Sequence, residues 1–286
     1  MDAEIFERNR GRLESIAYGM LGSVMEAEDV VQDAYLRWAE VDVTEIDSPP
    51  AFLTTVTTRL AIDRLRSAQR RREKYVGAWL PEPILSSFEP DPADIAVDSI
   101  SLSMAAMAVL ERLNPVERAV LLLRDVFDLD YAEIANIVDK SPDNVRQIAR
   151  RARGRAGDLQ RAPVQTEVES QLISRYLEAI GQGDLEGLTE IFAEDVLLVS
   201  DGGGKARAAR HPLHGARRVA RHLIGVSPQA PEGMEVRIVR VNGEPSVMGV
   251  FKGHAIGIVT FEVRDGLITA VRASLNPDKL AHLSDV

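Results

Sequence analysis

Residues 131–156, YAEIANIVDKSPDNVRQIARRARGRA, constrain this chain more than any other stretch. Tyr131–Val138 has the period of a short helix with Ala135 at its middle, and Asp139-Lys140 turns the chain. Ser141 can cap the next helix, and Pro142 stands at its first position, where a missing N–H costs nothing. In that second helix Val145, Ile148, Ala149 and Ala152 fall on one side at helical spacing. Asp143, Gln147 and Arg150 lie opposite, flanked by Asn144, Arg146 and Arg151. Amide and guanidinium groups on such a face can read base edges, and the cations can hold phosphates. The pattern predicts a helix-turn-helix whose second helix enters a major groove by its N-terminal turns. An ordinary helical hairpin with a charged surface is the competing reading.

A net charge of −10 is unusual for a protein that handles nucleic acid, so the distribution of charge decides. Residues 1–165 carry 21 Lys/Arg against 28 Asp/Glu, and thirteen of the cations fall in two windows. Positions 59–74 hold seven cations and two acids; positions 146–161 hold six cations and one acid. Two basic helices on an acidic body predict local DNA contact and weak binding to free DNA, with activity mainly when another component holds the chain in place. Solvated helix faces are the plainer account of each charge run.

The 286 residues allow two or three domains. Residues 1–75 read as helices: apolar spacing over 5–22, a break at Gly22-Ser23, a second helix over 26–40, and a third from Ala51 to about Arg72 after Pro49-Pro50. Residues 76–98 hold four prolines, five acids and no Lys or Arg, as expected of a semi-rigid linker able to lie along a surface. Helices resume over 99–161. From 166 to 286 the pattern is α+β: a helix over 168–182, a second short one, the strand EDVLLVSD ending in DGGGK, a helix over 213–225, and strands over 234–241, 245–251, 254–263 and 267–275. Helices followed by a curved antiparallel sheet predict a cone-shaped barrel. The expected fold class is therefore multidomain, two all-α domains followed by an α+β cone. The chain has no cysteine, no long apolar span and a charged N-terminus without a signal-peptide core, which together point to the cytoplasm and to no membrane.

AEDVVQDAYLRWAE, AFLTTVTTRLAIDRLRSAQRRR and ALLLRDVFDLDYAEIANIVDKSPDNVRQIARRARGRA, in that order over roughly residues 1–161, resemble an extracytoplasmic-function (ECF) sigma factor. The first is similar to the region 2 helix that docks on the clamp helices of the largest subunit of RNA polymerase. The second resembles the part that opens and reads the −10 element, and the third looks like region 4, which reads the −35 element. YVGAWLPEP, DGGGK and NPDKL resemble the signatures of the ECF group with a fused SnoaL-like (NTF2-like) C-terminal domain, which implies that this domain acts on the sigma core in place of a separate anti-sigma partner.

The resemblance implies polymerase contact at Asp29, Gln32 and Asp33, −10 contact along Arg59, Asp63, Arg66 and Arg70, and −35 contact along Asp143, Asn144, Arg146, Gln147, Arg150 and Arg151. A loop around Thr44–Pro50 is placed to pocket a flipped base. Trp38 lies in an apolar stripe and is read as core. Trp79, Leu80, Asp201, Gly202, Gly203, Gly204, Lys205, Asn276, Pro277, Asp278 and Lys279 are the expected interdomain and regulatory contacts. The partners are core polymerase and promoter DNA, with the protein a monomer, no metal or cofactor, and an apolar cone with room for a small-molecule ligand. SnoaL-like cones include enzymes with an Asp/His pair. Asp201, His211, His214 and His254 are available here, yet none is tightly spaced on a strand, so no catalysis is expected. Two other classes stay open: a helix-turn-helix regulator that works without polymerase, and a bifunctional protein whose cone transforms a small molecule.

Overall fold

The first helix, α1 (Asp2–Leu21), stops at Gly22, which takes a left-handed conformation (φ +67°) and donates its N–H to the Tyr18 carbonyl. Ser23 then caps α2 (Val24–Ala39) by accepting from the Glu26 N–H. The third helix, α3 (Pro49–Arg72), opens on its two prolines. In this computed structural model the described residues are 2–72, 74–86, 102–156 and 166–283, with backbone alone at 2, 69–71, 166 and 167. The chain divides into two units, Met1–Lys74 with Pro90–Gln160, and Tyr75–Glu89 with Arg161–Val286.

In the first unit α1, α2 and α3 bury Phe6, Leu13, Met20, Val31, Leu53, Ala61, Ile62 and Leu65 in one core. Trp38 belongs to that core, its ring 5.9 Å from Phe52. The same core takes in Leu102 and residues of α4 (Met104–Leu110) and α5 (Pro115–Asp125), among them Met107, Leu110, Leu121 and Leu122. At Gly19 a β-carbon would lie 2.9 Å from the Leu122 side chain, so only glycine lets α1 and α5 approach this closely. The helices resembling region 2 and region 4, read from the sequence as two domains, thus pack as one unit. A second core of Ile16, Val120, Leu123, Ile134, Ile137, Val145 and Ile148 seats α6 (Tyr131–Val138) and α7 (Pro142–Ala156). Asn114 and Asp130 form capping boxes with Glu117 and Glu133 that fix where α5 and α6 begin.

The second unit starts with a strap rather than a free linker. Residues 75–86 cluster with the C-terminal residues, and β1 (Leu85–Ser86) pairs antiparallel with Val241 and Arg240 of β4 (Glu235–Val241). The rest of the expected linker, 87–98, lies outside the described residues. After α8 (Thr166–Gln182) and α9 (Leu185–Ile191) come β2 (Phe192–Asp201), β3 (Leu213–His214), α10 (Ala216–Val226), β4, β5 (Glu244–Phe251), β6 (His254–Arg264), β7 (Leu267–Ser274) and α11 (Pro277–Leu280). The sheet order is β1-β4-β5-β6-β7-β2-β3, antiparallel except for β2 beside β7. Asn242-Gly243, Lys252-Gly253 and Asp265-Gly266 all have positive φ, as two-residue hairpin loops with the right twist demand. Register shifts in β5–β6 and β6–β7 bend the sheet around a core of Tyr176, Leu188, Phe192, Val219, Leu223, Phe261 and Val271. The helix expected over 213–225 begins later: Leu213 and His214 pair with β2, and Gly215, at φ +92°, cannot be helical. Strand β5 is buried almost continuously instead of alternating. Among the described residues no helix is long and apolar enough to cross a membrane.

Candidate nucleic-acid interface and strap site

The helix-turn-helix is rigid at its corner. Asp139 ends α6 in the left-handed region (φ +53°), Lys140 donates its N–H to Ala135, and Ser141 accepts from the Asn144 N–H at 3.3 Å. Helix α7 buries Val145, Ile148, Ala149 and Ala152 and exposes Asp143, Asn144, Arg146, Gln147, Arg150 and Arg151. Packing sorts its arginines. Arg153 and Arg155 are tied to Asp125 and Glu117 of α5, and the Asp125 contact holds the Arg153 guanidinium above its usual range. Arg146 pairs with Asp143 at 2.5 Å and lies over the Tyr131 ring. Gln147, Arg150 and Arg151 keep their donors outward, with no bonded partner among the described residues. That leaves an amide and two guanidinium groups side by side, suited to a base edge and adjacent phosphates.

The face of α3 is arranged differently from expectation. Ala61, Ile62 and Leu65 are buried, and Asp63 pairs with Arg66 at 2.8 Å on the surface. Arg59, read as a phosphate contact, instead donates to the carbonyls of Asn136 (2.7 Å) and Ile137 (2.9 Å), capping the C-terminal end of α6. The side chain of Arg70 lies outside the described residues. On α2, Asp29, Gln32 and Asp33 are exposed, but Arg64 of α3 reaches Asp29 closely and Asp33 at 4.0 Å. Sequence spacing showed the acidic row and not the arginine across from it, since that pairing is tertiary. A second such network joins Arg72 of α3 to Glu111 and to Arg118 of α5, whose Nε donates to the Gly19 carbonyl.

In the second unit the three short motifs meet. Asp201, fully buried at the end of β2, accepts from four donors: Tyr75 Oη at 2.5 Å and the Gly203 N–H at 3.1 Å on Oδ1, and the Leu80 N–H at 2.8 Å and Lys279 Nζ at 2.7 Å on Oδ2. Lys279 Nζ also donates to the Leu80 carbonyl and lies 3.8 Å from the Trp79 ring centroid. Asn276 donates to Tyr75 Oη at 2.8 Å and caps α11 through the Asp278 N–H; Pro277 follows at the first helical position. Lys205 pairs with Asp278 at 2.6 Å on the surface. Gly202, Gly203 and Gly204 form the turn that lets these groups close: a β-carbon on Gly203 would sit 2.3 Å from Asn276 Nδ2, and one on Gly202 2.3 Å from the Ala206 carbonyl. Leu80 is buried, and His282 Nε2 lies 2.8 Å from the Pro83 carbonyl. Tyr75 and His282, not among the expected contact residues, complete it; Tyr75 opens the YVGAWLPEP signature and is legible there as a candidate.

Both oxygens of Asp201 are engaged, and His211, His214 and His254 are exposed, so these four residues form no acid–base pair. Among the described residues no group of three His, Asp or Glu is placed to hold a metal.

Residues 5–71 match the family model for Sigma-70 region 2, and residues 103–155 match that for Sigma-70, region 4. Across 98% of this chain and 93% of the relative, the sequence is 37% identical to the ECF RNA polymerase sigma factor SigJ of Mycobacterium tuberculosis strain H37Rv. It is 29% identical to the probable ECF RNA polymerase sigma factor SigI of the same strain, over 95% of this chain and 92% of that one. The crystal structure of M. tuberculosis SigJ superposes with a TM-score of 0.79 at 34% identity, covering 98% of each chain. With helix-turn-helix, region 2 helices and a C-terminal α+β domain all in place, the chain belongs to the extracytoplasmic-function RNA polymerase sigma factor family.

Proposed function

We propose that this sigma factor binds core RNA polymerase as a monomer through the exposed row Asp29, Gln32 and Asp33 and reads −35 duplex with α7. In the same reading α3 engages the −10 strand once Arg59 is released from α6, and the C-terminal domain regulates by contact rather than by turnover. The observation that carries the reading is the sorting of arginines on α7, where Arg153 and Arg155 are tied to α5 and Gln147, Arg150 and Arg151 have no bonded partner among the described residues. The docked strap supports a built-in regulator, because Tyr75–Ser86 belongs to the C-terminal unit while flanked on both sides by the helical one. Its setting is the cytoplasm, where polymerase works.

Reconstituted transcription with core polymerase tests this. Gln147→Ala and Arg150→Ala should each lower initiation at a −35-dependent promoter by roughly five- to a hundredfold, the discrimination of about 1–3 kcal/mol expected for a bidentate base contact. Undiminished initiation by both variants rejects the groove face. Tight operator binding by the chain alone, without core, would favour a polymerase-independent regulator instead.

A further inference from the structure

Between Asp201 and Glu232 the chain carries six Lys/Arg, three histidines and no acid, within a C-terminal half whose acids otherwise outnumber its cations. These cations gather on α10 and the loop before it. Val219, Ala220 and Leu223 are buried against the core, and Arg217, Arg218 and Arg221 are exposed, as are Arg210, His211 and His214 of the preceding loop and strand. Arg207 donates to Gln229 at 3.0 Å, which keeps the loop alongside the far end of the helix. Lys205 is taken by Asp278, and Glu186 of α9 reaches Arg217 loosely at 3.7 Å; Arg210, Arg218 and Arg221 have no partner among the described residues.

Local physics disfavours this arrangement in isolation. Arg217 and Arg218 occupy the first turn of α10, the end where the helix dipole favours anions, and the cap residue is Gly215, which offers no side-chain bond to the free N–H groups. Arg217 and Arg221 stand four residues apart and repel. An external phosphate relieves both faults, through guanidinium forks and uncapped N–H groups together. Because the apolar side of α10 is buried, it offers a lipid surface nothing to insert.

We infer that α10 and its preceding loop form a sequence-independent contact for the phosphate backbone of duplex DNA, so that the C-terminal domain holds promoter DNA as well as the strap. This rests on the chain acting at promoters as a sigma factor. The test is a salt titration of promoter binding by the full-length chain with core polymerase, comparing the unsubstituted protein with Arg217→Gln/Arg218→Gln/Arg221→Gln. Three lost phosphate contacts should make the slope of log affinity against log salt shallower by about three and weaken binding about equally at promoters with intact or altered −35 elements. Lysine at the same three positions should keep most of the slope, and Arg264→Gln, an exposed arginine already paired with Glu262, should change nothing. An unchanged slope in a triple variant that melts normally overturns the inference, as does a loss confined to polymerase binding, which would assign the patch to a protein surface. The same comparison with the chain alone on non-promoter duplex at low salt reads the patch without polymerase. Failure of the unsubstituted holoenzyme to bind its promoter therefore counts against the sigma-factor reading, while this second arm still decides the patch.

Discussion

Asp201 shows how much one carboxylate can organise when its charge is matched inside the protein. It is fully buried, and its ammonium partner Lys279 is nearly so. Removing one member of a buried pair leaves the other charge unpaired, at a typical cost of about 3–5 kcal/mol. Lys279→Met should therefore lower the unfolding free energy read from denaturant titration by that order, whereas Asp201→Asn combined with Lys279→Met should cost well under the sum of the two singles, as coupled neighbours do. Additive losses would mean that the pair is not a unit. Tyr75, on the same carboxylate, has its phenol pushed above the ordinary value, first by burial and then by the bond to Asp201. A raised folded value means that its contribution is fully present below the unfolded value of about 10 and is lost only as pH climbs beyond that. The stability difference between the native chain and Tyr75→Phe should accordingly stay flat from about pH 6 to 9 and shrink only in stronger alkali. A difference that varies across the neutral range would mean that the phenol is not what ties the strap to pH.

At the scale of elements, the long ones were legible and the short ones were not. Period and capping residues marked α1, α3, α6 and α7, and apolar runs bounded by turn residues marked the five long strands, β2 and β4 to β7. Strands β1 and β3 are two residues each, too short for any period, and β1 follows two prolines that argue against a strand; both exist only because a neighbouring strand supplies the hydrogen bonds. The candidate site divides in the same way. Arg218 and Arg221 are visible as charge, yet their having no partner among the described residues is a property of the fold, as are the capping of α6 by Arg59 and the neutralisation of Asp29 by Arg64. The turn DGGGK is the reverse case, since a glycine run announces tight backbone. Gly203 has φ +58°, and any β-carbon there meets the Asn276 amide. Gly203→Ala should thus destabilise by more than the roughly 1 kcal/mol of left-handed strain alone, and thermal melts can compare it with Gly253→Ala. Gly253 has φ +80° and open space around it, so strain is all that substitution adds. Equal losses at the two positions would show that Asn276 yields and that the turn does not hold the strap.

For the molecule as a whole, the decisive fact is that α3 and α7, the helices proposed above to read the promoter, share one unit. The −10 and −35 elements lie about 25 base pairs apart, on the order of 85 Å along duplex at 3.4 Å per step. Yet α3 donates hydrogen bonds to α6 through Arg59, and the core shared by α1–α3 with α4 and α5 buries Leu102, Leu110, Leu113 and Leu122. If α3 and α7 read these elements as proposed above, that core must part first, and the expected behaviour is a closed resting chain that opens on polymerase. The interface already holds a weakness: Arg118, almost wholly buried between α5 and α1, has one guanidinium nitrogen without a partner, which costs the closed form part of what its ion pair with Glu111 contributes. The strap is expected to bear on the same equilibrium, because Tyr75–Ser86, which follow α3 and precede α4 in sequence, are held by the C-terminal unit. Having no cysteine, the chain can be labelled only where cysteines are introduced. With dyes on Ala51→Cys of α3 and Ala132→Cys of α6, both exposed and outside the proposed DNA contacts, energy transfer should be high in the free chain and fall nearly to zero once core polymerase and promoter DNA are added. Arg59→Ala should lower transfer in the free chain by removing the contact to α6. High transfer that persists in a complex actively making transcript would mean that the two helices read DNA while still packed together, and the closed unit would then be the working form.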